Sequence, residues 1–338
     1  MPPIITSAAV PALPAPLLVL VGPTAVGKSA AVAALAGRRP LEVVVADSLQ
    51  VYRGFDVGTA KPTAAERART PHHLLDIRDP TEHFSAADFA ALARPALHEI
   101  AGRDRLPVVA GGTGLYVRAL LRGPLAGPGA DPEVRRRLAA EAEATGREAL
   151  HARLAAVDPH AAAGIHPRNL VRVLRALELY HLSGVPPSAL RSGLAAEPPA
   201  GCLLIGLRRG RQDLDRRIAA RTQAMLAAGL VGEVRGLLAR GVPRDAKPMG
   251  AIGYRQIVEH LEGHCSLEEA AGRIERQTRL YAKRQMTWFR AEPGIRWLDL
   301  PPDADPAAAA ERILDRLAGG AAGMAAGHPV RAVAAGGR

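Results

Sequence analysis

The 338-residue sequence contains little cysteine and no long apolar stretch, and both absences narrow the possible classes of protein. Its two cysteines, Cys202 and Cys265, are too few for a disulfide framework or a cysteine-rich zinc site. The zinc-binding patterns H-E-x-x-H and C-x-x-C do not occur. No stretch approaches the roughly 20 consecutive apolar residues of a membrane-spanning helix. We therefore expect a cytoplasmic protein without a membrane partner.

The two ends of the chain are poor in residues that build a core. Residues 1–16 contain several prolines and no basic segment, so we expect a disordered leader rather than a signal peptide. Residues 319–338 are rich in glycine and alanine and are expected to form a flexible tail. The remaining length suits two domains, or one domain with an insertion.

Basic residues exceed acidic ones, 44 against 33, which gives a formal net charge of +11. A positive excess of this size favours a polyanionic partner.

The most informative motif follows the G-x-x-x-x-G-K-S pattern, directly after the apolar run Leu17–Val21. Its residues are Gly22, Pro23, Thr24, Ala25, Val26, Gly27, Lys28 and Ser29. A buried strand that ends in such a loop and continues as a helix directs backbone N–H groups and a helix N-terminus at one point. Lys28 adds positive charge, and Ser29 can bind Mg²⁺. The motif predicts a site for a diphosphate or triphosphate.

The acidic residue expected of an ordinary P-loop ATPase is missing from its usual place. Residues 106–110 predict a later strand, yet Gly111–Gly114 follow it without a carboxylate. The acid instead follows the second predicted strand, as Asp47, next to Ser48 and Gln50. This position favours a base acting on an acceptor nucleophile beside the phosphate. A helix cap or turn is the structural alternative for Asp47.

The pattern of apolar runs predicts an α/β fold with a P-loop NTPase-like parallel sheet flanked by helices. Strands are predicted at 17–21, 42–46, 74–77, 106–110, 201–207 and 295–298. Helices are predicted at 28–37, 85–102, 114–122 and within 211–290. Residues 123–200 contain only helical patterns and predict an inserted helical domain, at 131–144, 147–157 and 166–182. The core then comprises 17–122 and 201–300.

Over residues 17–300 the chain resembles the bacterial tRNA dimethylallyltransferases, also known as tRNA isopentenyltransferases. The resemblance rests on seven ordered motifs, at Gly22–Ser29, Asp47–Gly54, Asp56–Pro62, Pro71–Ile77, Gly111–Tyr116, Gly250–Arg255 and Lys283–Arg290. Two departures are small: Phe55 stands where methionine is expected, and Val26 where serine or alanine is more usual. Neither side chain takes part in the expected chemistry.

The resemblance implies transfer of a dimethylallyl group from dimethylallyl diphosphate to the N6 amine of the adenosine 3′-adjacent to the anticodon. Asp47 is then the base, Thr24 a hydrogen-bond donor to the departing oxygen, and Arg217 a cation near the leaving group. Arg221, four residues later on the same helix face, is the alternative cation. The residues expected to bind the diphosphate are Gly22, Pro23, Thr24, Ala25, Val26, Gly27, Lys28, Ser29 and Arg221. Ser29 is the expected ligand of Mg²⁺.

The resemblance also implies that the target base leaves the anticodon stem-loop before it reacts. Basic and aromatic residues recur in Glu268–Arg290, with Arg273, Arg276, Arg279 and Lys283 at helical spacing. The candidate tRNA-binding residues are Asp47, Ser48, Leu49, Gln50, Thr113, Arg135, Arg172, Arg175, Gly253, Tyr254, Arg255, Lys283, Arg284, Trp288 and Arg290. A solvated basic face is the alternative for this stripe, as it is for Arg217 and Arg221.

Three other functions remain open from the sequence. An enzyme that prenylates free adenine nucleotides shares the phosphate loop and the D-S-x-Q stretch but has less need of the insertion. A small-molecule kinase also accommodates an acid after the second strand. A non-enzymatic RNA-binding module leaves Asp47, Thr24 and Gln50 unexplained as a set. We expect a monomer.

Overall fold

A computed structural model describes residues 12–123, 127–191 and 198–325 of the chain. Its strands form one parallel sheet in the order β3-β2-β4-β1-β5-β6. The strands are β1 (Leu17–Val21), β2 (Leu41–Ala46), β3 (His72–His73), β4 (Leu106–Gly111), β5 (Cys202–Arg208) and β6 (Arg296–Asp299). The predicted parallel sheet is confirmed, with strand ends that differ by a residue or less at five of the six strands.

Helices cover both faces of the sheet, which explains why β1 and β2 are buried along their whole length. The helices before the inserted segment are α1 (Lys28–Ala36), α2 (Ala64–Arg69), α3 (Ala86–Gly102) and α4 (Gly114–Arg122). The inserted segment contains α5 (Pro132–Thr145), α6 (Arg147–Val157), α7 (Pro159–Ala163), α8 (Leu170–Ser183) and α9 (Pro187–Arg191). The helices after it are α10 (Arg211–Ala227), α11 (Leu230–Ala239), α12 (Tyr254–Leu261), α13 (Leu267–Arg290) and α14 (Pro306–Ala325). No helix in the described ranges is both long enough and apolar enough to cross a membrane.

The strand predicted at 74–77 is wrong. None of residues 74–77 pairs with β2 in the sheet. The residues that do so are the two just before them, His72 and His73, which lie opposite Val43 and Val44. Leu74 and Asp76 have positive φ angles of 64° and 55°, which extended strand residues do not adopt. The Asp76 carboxylate instead accepts a hydrogen bond from the buried Lys61 at 2.5 Å. The chain therefore leaves the sheet earlier than its apolar pattern suggests.

Local capping explains where several helices begin. Ser85 and Asp88 form a capping box at the start of α3, as their spacing predicts. Ser266 and Glu269 form the same arrangement at the start of α13. These reciprocal bonds satisfy backbone N–H groups that would otherwise lack partners.

The contacts divide the chain into two compact units, Met1–Arg122 with Glu197–Arg338, and Gly123–Ala196. The second unit is helical and has its own core, which includes Leu138, Leu150, Leu154 and Val173. Its last long helix, α8, begins at Leu170 rather than at the predicted residue 166, because α7 and a turn occupy the preceding stretch.

The structure changes the expectation for both ends. Most of the predicted leader, residues 1–11, lies outside the described residues, but Leu13 is buried in the core of the sheet unit. Helix α14 continues to Ala325, so residues 319–325 are helical rather than a flexible tail. Alanine has the highest helix propensity, which offsets the glycines in this stretch. Residues 326–338 lie outside the described residues.

Candidate active site

The carboxyl ends of the neighbouring strands β1, β2 and β4 surround a cavity of about 510 Å³. This is the edge of a parallel sheet at which ligands commonly bind. The cavity is lined by Thr24, Ala25, Gly27, Lys28, Ser29, Ala30, Val32, Val43, Val45, Asp47, Gln50, Thr59, Ala60, Pro62, His72, Ala110, Gly111, Gly112, Arg217, Ala220, Arg221, Tyr281 and Gln285. It thus brings together most of the residues predicted to bind the diphosphate and to carry out the chemistry.

The phosphate loop between β1 and α1 has a backbone that needs its glycines. Gly22 and Gly27 have φ angles of +145° and +111°. A Cβ atom on Gly22 would also lie 2.7 Å from the carbonyl oxygen of Leu207. The loop leads directly into α1, whose first residue is Lys28, so a helix N-terminus faces the cavity as the motif predicts.

Three cations hold the carbonyl groups of this loop. Lys28 Nζ donates to the carbonyl oxygens of Gly22 and Pro23, each at 2.9 Å. Arg217 Nε donates to the carbonyl oxygen of Ala25 at 2.9 Å. Arg209 Nε donates to the carbonyl oxygen of Val26 at 2.8 Å. These bonds fix the orientation of successive peptide groups in the loop.

The cavity concentrates positive charge in a buried setting. Burial and, to a smaller extent, the charge of Arg221 lower the pKa of Lys28 to about 7, against the opposing effect of the Asp47 carboxylate. Burial also lowers the pKa of Arg221, against the opposing effect of Asp47. A ligand with several negative charges would relieve the unfavourable burial of both cations.

Asp47 forms the turn that was considered as its structural alternative, and this turn uses only one of its two carboxylate oxygens. Its Oδ1 accepts hydrogen bonds from the backbone N–H groups of Leu49 at 2.8 Å and Gln50 at 3.3 Å, as in an Asx turn. Its Oδ2 has no hydrogen bond to the described part of the chain and is available to a ligand. The turn therefore orients the carboxylate without occupying both of its oxygens.

Polar residues beside Asp47 form a second wall of the cavity. Gln50 Nε2 donates to the carbonyl oxygens of Thr59 at 3.1 Å and Ala60 at 3.4 Å. Arg221 donates to the same Thr59 carbonyl at 3.2 Å. Thr113 Oγ1 accepts from the backbone N–H of Ser48 at 3.2 Å, so Thr113 supports the turn that contains Asp47.

Gln285 is a site residue to which the sequence reasoning gave no role. Its Oε1 accepts from the backbone N–H of Thr24 at 2.9 Å, and its Nε2 donates to the carbonyl oxygen of Gly112 at 2.9 Å. The side chain thus joins the loop after β1 to the turn after β4. A Cβ on Gly112 would lie 2.3 Å from this Nε2. The feature of the sequence that could have indicated this role is a glutamine among the basic residues of the Lys283–Arg290 motif.

Tyr281, one helical turn before Gln285, was also missed. It lines the cavity, and burial raises its pKa to about 12. Its hydroxyl therefore stays protonated near neutral pH. No sequence signal separates it from an ordinary core tyrosine.

The predicted tRNA-binding residues fall into three groups. Ser48, Leu49, Gln50 and Thr113 lie at or beside the cavity, as described above. Arg172, Arg255, Lys283, Arg284 and Arg290 are exposed. The residues of the third group contact other parts of the protein; they are Arg135, Arg175, Gly253, Tyr254 and Trp288.

These internal contacts give the third group partners inside the protein. Arg135 and Arg175 pair with the fully buried Glu178 carboxylate in the helical unit. Tyr254 is fully buried and donates to Glu233, and Gly253 caps helix α12 with a φ angle of 100°. Because a buried hydroxyl needs a partner, Tyr254 has a structural role, as has Gly253. The side chains of Arg135 and Arg175 are 45% and 35% exposed, so both stay candidates for tRNA binding.

Trp288 is half-buried rather than an open stacking platform. The guanidinium of Arg118 lies 4.2 Å from its ring centroid and covers one face. A Cβ on Gly114 would lie 2.1 Å from its indole nitrogen, so the ring also packs closely against the start of α4.

The basic stripe of α13 is only partly free. Arg273 pairs with Glu259 at 3.1 Å and Arg279 with Glu275 at 3.1 Å. Arg276, Lys283 and Arg290 are exposed and have no salt-bridge partner among the described residues. The prediction therefore keeps these three cations and the exposed Arg284, whose guanidinium lies 5.7 Å from the ring centroid of Tyr281.

Metal ligands are few in the described part of the chain, where no cluster of three or more His, Cys, Asp or Glu side chains could hold an ion. His72 and His73 hydrogen-bond the Thr70 carbonyl and the Glu42 carboxylate instead. Hard oxygen donors are nevertheless present at the cavity, in Ser29 and Asp47.

Residues 50–292 match the model of a family described as IPP transferase. The chain is 51% identical over 290 residues to a tRNA dimethylallyltransferase of Geobacter metallireducens, covering 86% of this chain and 94% of the relative. It is 52% identical over 302 residues to one of Anaeromyxobacter dehalogenans, covering 89% and 99%.

Solved structures give a consistent result. A tRNA isopentenylpyrophosphate transferase of Bacillus halodurans has a TM-score of 0.67 and 42% identity, covering 92% of this chain and all of that chain. A eukaryotic dimethylallyltransferase described as acting on tRNA has a TM-score of 0.76 and 25% identity, covering 94% and 81%.

The low pKa of Lys28 makes anion binding dependent on pH. A bound diphosphate stabilises the charged amine, so at about pH 8 wild-type protein should take up roughly one proton more on binding pyrophosphate than Lys28→Arg, whose guanidinium stays charged. The difference should vanish at about pH 5.5, where Lys28 is already protonated. Calorimetry in buffers of different ionisation enthalpy measures it. Equal proton uptake by the two proteins at the higher pH would contradict this assignment.

Proposed function

This chain belongs to the IPP transferase family, and we propose that it transfers a dimethylallyl group from dimethylallyl diphosphate to the N6 amine of the adenosine 3′-adjacent to the anticodon in tRNAs. It is a prenyltransferase of tRNA modification, the activity for which its relatives are named. The observation that carries the proposed mechanism is that Lys28, Arg221 and Asp47 line the same cavity. Only one of the two carboxylate oxygens of Asp47 is bonded to the described backbone.

The reaction exchanges one bond at an allylic carbon for another. The bond from carbon to the bridging diphosphate oxygen breaks, the bond from carbon to the adenosine N6 forms, and the amine loses a proton. The protein must therefore stabilise departing negative charge and accept a proton. Lys28, Arg217 and Arg221 supply positive charge at the phosphate loop for the first task.

Thr24 is placed to assist the departing oxygen. It lies in the phosphate loop and lines the cavity, and Gln285 holds its backbone N–H at 2.9 Å. We assign its hydroxyl as a donor to the bridging oxygen, where negative charge develops as the bond breaks. A donor already fixed in place costs little reorganisation during the reaction.

Asp47 is the proposed base. A carboxylate is a weak base toward a neutral aromatic amine, but it becomes adequate as the nitrogen gains positive charge in the transition state. The backbone bonds to its Oδ1 orient the carboxylate and leave Oδ2 for the amine. Gln50 and Ser48, next to it, are placed to hold the edge of the extruded adenine.

Mg²⁺ is the proposed cofactor, and the donors present fit it. Magnesium commonly binds through one or two protein oxygens, several waters and the oxygens of a substrate phosphate. Ser29 offers a hard oxygen donor at the phosphate loop, and Asp47 lines the same cavity. The described residues contain no cluster of three or more His, Cys, Asp or Glu side chains that could hold the ion without a substrate. When bound, the ion would neutralise charge on the diphosphate.

The remaining partners follow from charge and placement. The exposed Arg276, Lys283 and Arg290 of α13, with Arg172 in the helical unit, are proposed contacts to the tRNA backbone. The helical unit, Gly123–Ala196, is proposed to bind tRNA through its own surface. We propose that the protein is cytoplasmic and monomeric.

A direct assay tests this function against its alternatives. Purified protein is incubated with dimethylallyl diphosphate, Mg²⁺ and either unmodified tRNA or AMP, and the nucleosides are identified by mass spectrometry. We expect isopentenyladenosine at the position 3′ of the anticodon and no product from AMP. Product from AMP alone would indicate a free-nucleotide enzyme. A parallel incubation with ATP in place of dimethylallyl diphosphate would reveal a kinase by its phosphorylated product. The relatives described above give no support to either alternative.

Replacement of Asp47 by asparagine should remove the base while keeping its size and its acceptor oxygen. The single-turnover transfer rate should fall by about 10²–10⁴-fold, and tRNA affinity should change little, since the phosphate backbone dominates that affinity. Rapid-quench kinetics and filter binding measure the two quantities. A wild-type rate in Asp47→Asn would assign the proton transfer to another group.

The exposed cations of α13 should set the salt dependence of tRNA binding. Each lost phosphate contact lowers the slope of log affinity against log salt by about 0.7–0.9. Replacing Arg276, Lys283 and Arg290 with glutamine should therefore flatten the slope. The same change at the ion-paired Arg273 and Arg279 serves as the matched control and should have a smaller effect. An unchanged slope in the triple variant would mean that these cations are merely solvated.

A further inference from the structure

One carboxylate outside the cavity has a set of contacts that its place in α11 alone does not explain. Glu233 Oε2 accepts hydrogen bonds from the backbone N–H groups of Asp56 at 3.0 Å and Val57 at 2.7 Å. Its Oε1 accepts from the N–H of Gly58 at 3.1 Å and from the hydroxyl of Tyr254 at 2.7 Å. Consecutive N–H groups that converge on one anion form a strong, geometrically specific anchor.

The anchored segment continues directly into the wall of the cavity. Thr59 and Ala60, the next two residues, present their carbonyl oxygens to Gln50, and Thr59 also presents its carbonyl to Arg221. Ala60 has a φ angle of 48°, which a residue with a side chain seldom adopts. The surrounding bonds must therefore maintain this backbone.

Close packing at Gly58 supports the same conclusion. A Cβ at this position would lie 2.6 Å from the ring of Tyr254, so the segment lies directly against the residue that shares the Glu233 carboxylate. At the far end of the segment, the fully buried Lys61 amine donates to the Tyr52 carbonyl at 2.8 Å and to Asp76 at 2.5 Å. The two anchors leave little freedom to the carbonyls between them.

We propose that Glu233 is a positioning residue for the transfer reaction, which acts through the backbone of residues 56–60 to orient Gln50 and Arg221. It does not line the cavity and so does not act on substrate itself. The inference rests on the proposed function, because Gln50 is assigned there to the adenine edge and Arg221 to the leaving diphosphate. Displacement of these groups by about 1 Å would cost up to about 100-fold in rate.

A graded series of variants tests the proposal. Glu233→Ala should lower the single-turnover rate by about 10- to 100-fold. Glu233→Gln should have an intermediate effect. The amide oxygen of glutamine can still accept hydrogen bonds from the N–H groups of Asp56 and Val57, but its NH₂ group cannot accept one from the N–H of Gly58. The affinity for tRNA should change by less than about threefold, since phosphate contacts elsewhere dominate it. The exposed Glu99 on α3 provides the matched control, and Glu99→Gln should behave as wild type.

A double-mutant cycle separates positioning from general stability. If Glu233 acts through Gln50, the fold-loss caused by Glu233→Gln should be smaller by about threefold or more when Gln50 is already alanine. Equal fold-losses in both backgrounds, or a wild-type rate in Glu233→Ala, would overturn the proposal. Thermal unfolding shows whether Glu233→Ala folds. The double-mutant cycle does not depend on that variant, because it uses Glu233→Gln.

Failure of the proposed function would give a different result. In that case the wild-type protein would not modify tRNA under any of these conditions. If the wild type is active and the Glu233 series shows no graded loss, only the present inference fails.

Discussion

Three cations hold the carbonyl groups of the phosphate loop, and the proposed chemistry depends on the loop geometry that they fix. Lys28, Arg209 and Arg217 each donate to carbonyls between Gly22 and Val26. Lys28 is buried, so its charge is costly until an anion arrives, as its lowered pKa indicates. The same buried amine that shapes the loop thus favours the proposed binding of a diphosphate.

Other side chains join this loop to the turns that follow β4 and β2. Gln285 ties the loop to the turn after β4, and Thr113 supports the turn that contains Asp47. Helix α13 therefore has two sides with different tasks. One side buries Gln285 at the cavity, and the other exposes Arg276, Lys283 and Arg290 to solvent. In the proposed function, one helix therefore carries both a side chain of the cavity and the cations assigned to the tRNA backbone.

The sequence predicted those parts of the site that form within short segments. The phosphate loop, the Asp47 turn and the strands around them follow from local spacing and apolar runs, and the family was identified from ordered motifs. Gln285 and Glu233 were missed because their partners are distant in sequence; Gln285 binds Thr24, 261 residues away. Tyr254 was assigned to tRNA because a motif does not reveal burial. The strand predicted at 74–77 failed because its positive φ angles do not follow from apolar pattern.

The central claim is that the phosphate loop holds a prenyl diphosphate whose diphosphate departs, rather than a nucleotide that is hydrolysed. Equilibrium competition against labelled dimethylallyl diphosphate, in the presence of Mg²⁺, tests it most directly. The account predicts displacement by inorganic pyrophosphate and weak competition by ATP at the same concentration. Tight ATP binding that the allylic diphosphate does not affect would contradict it.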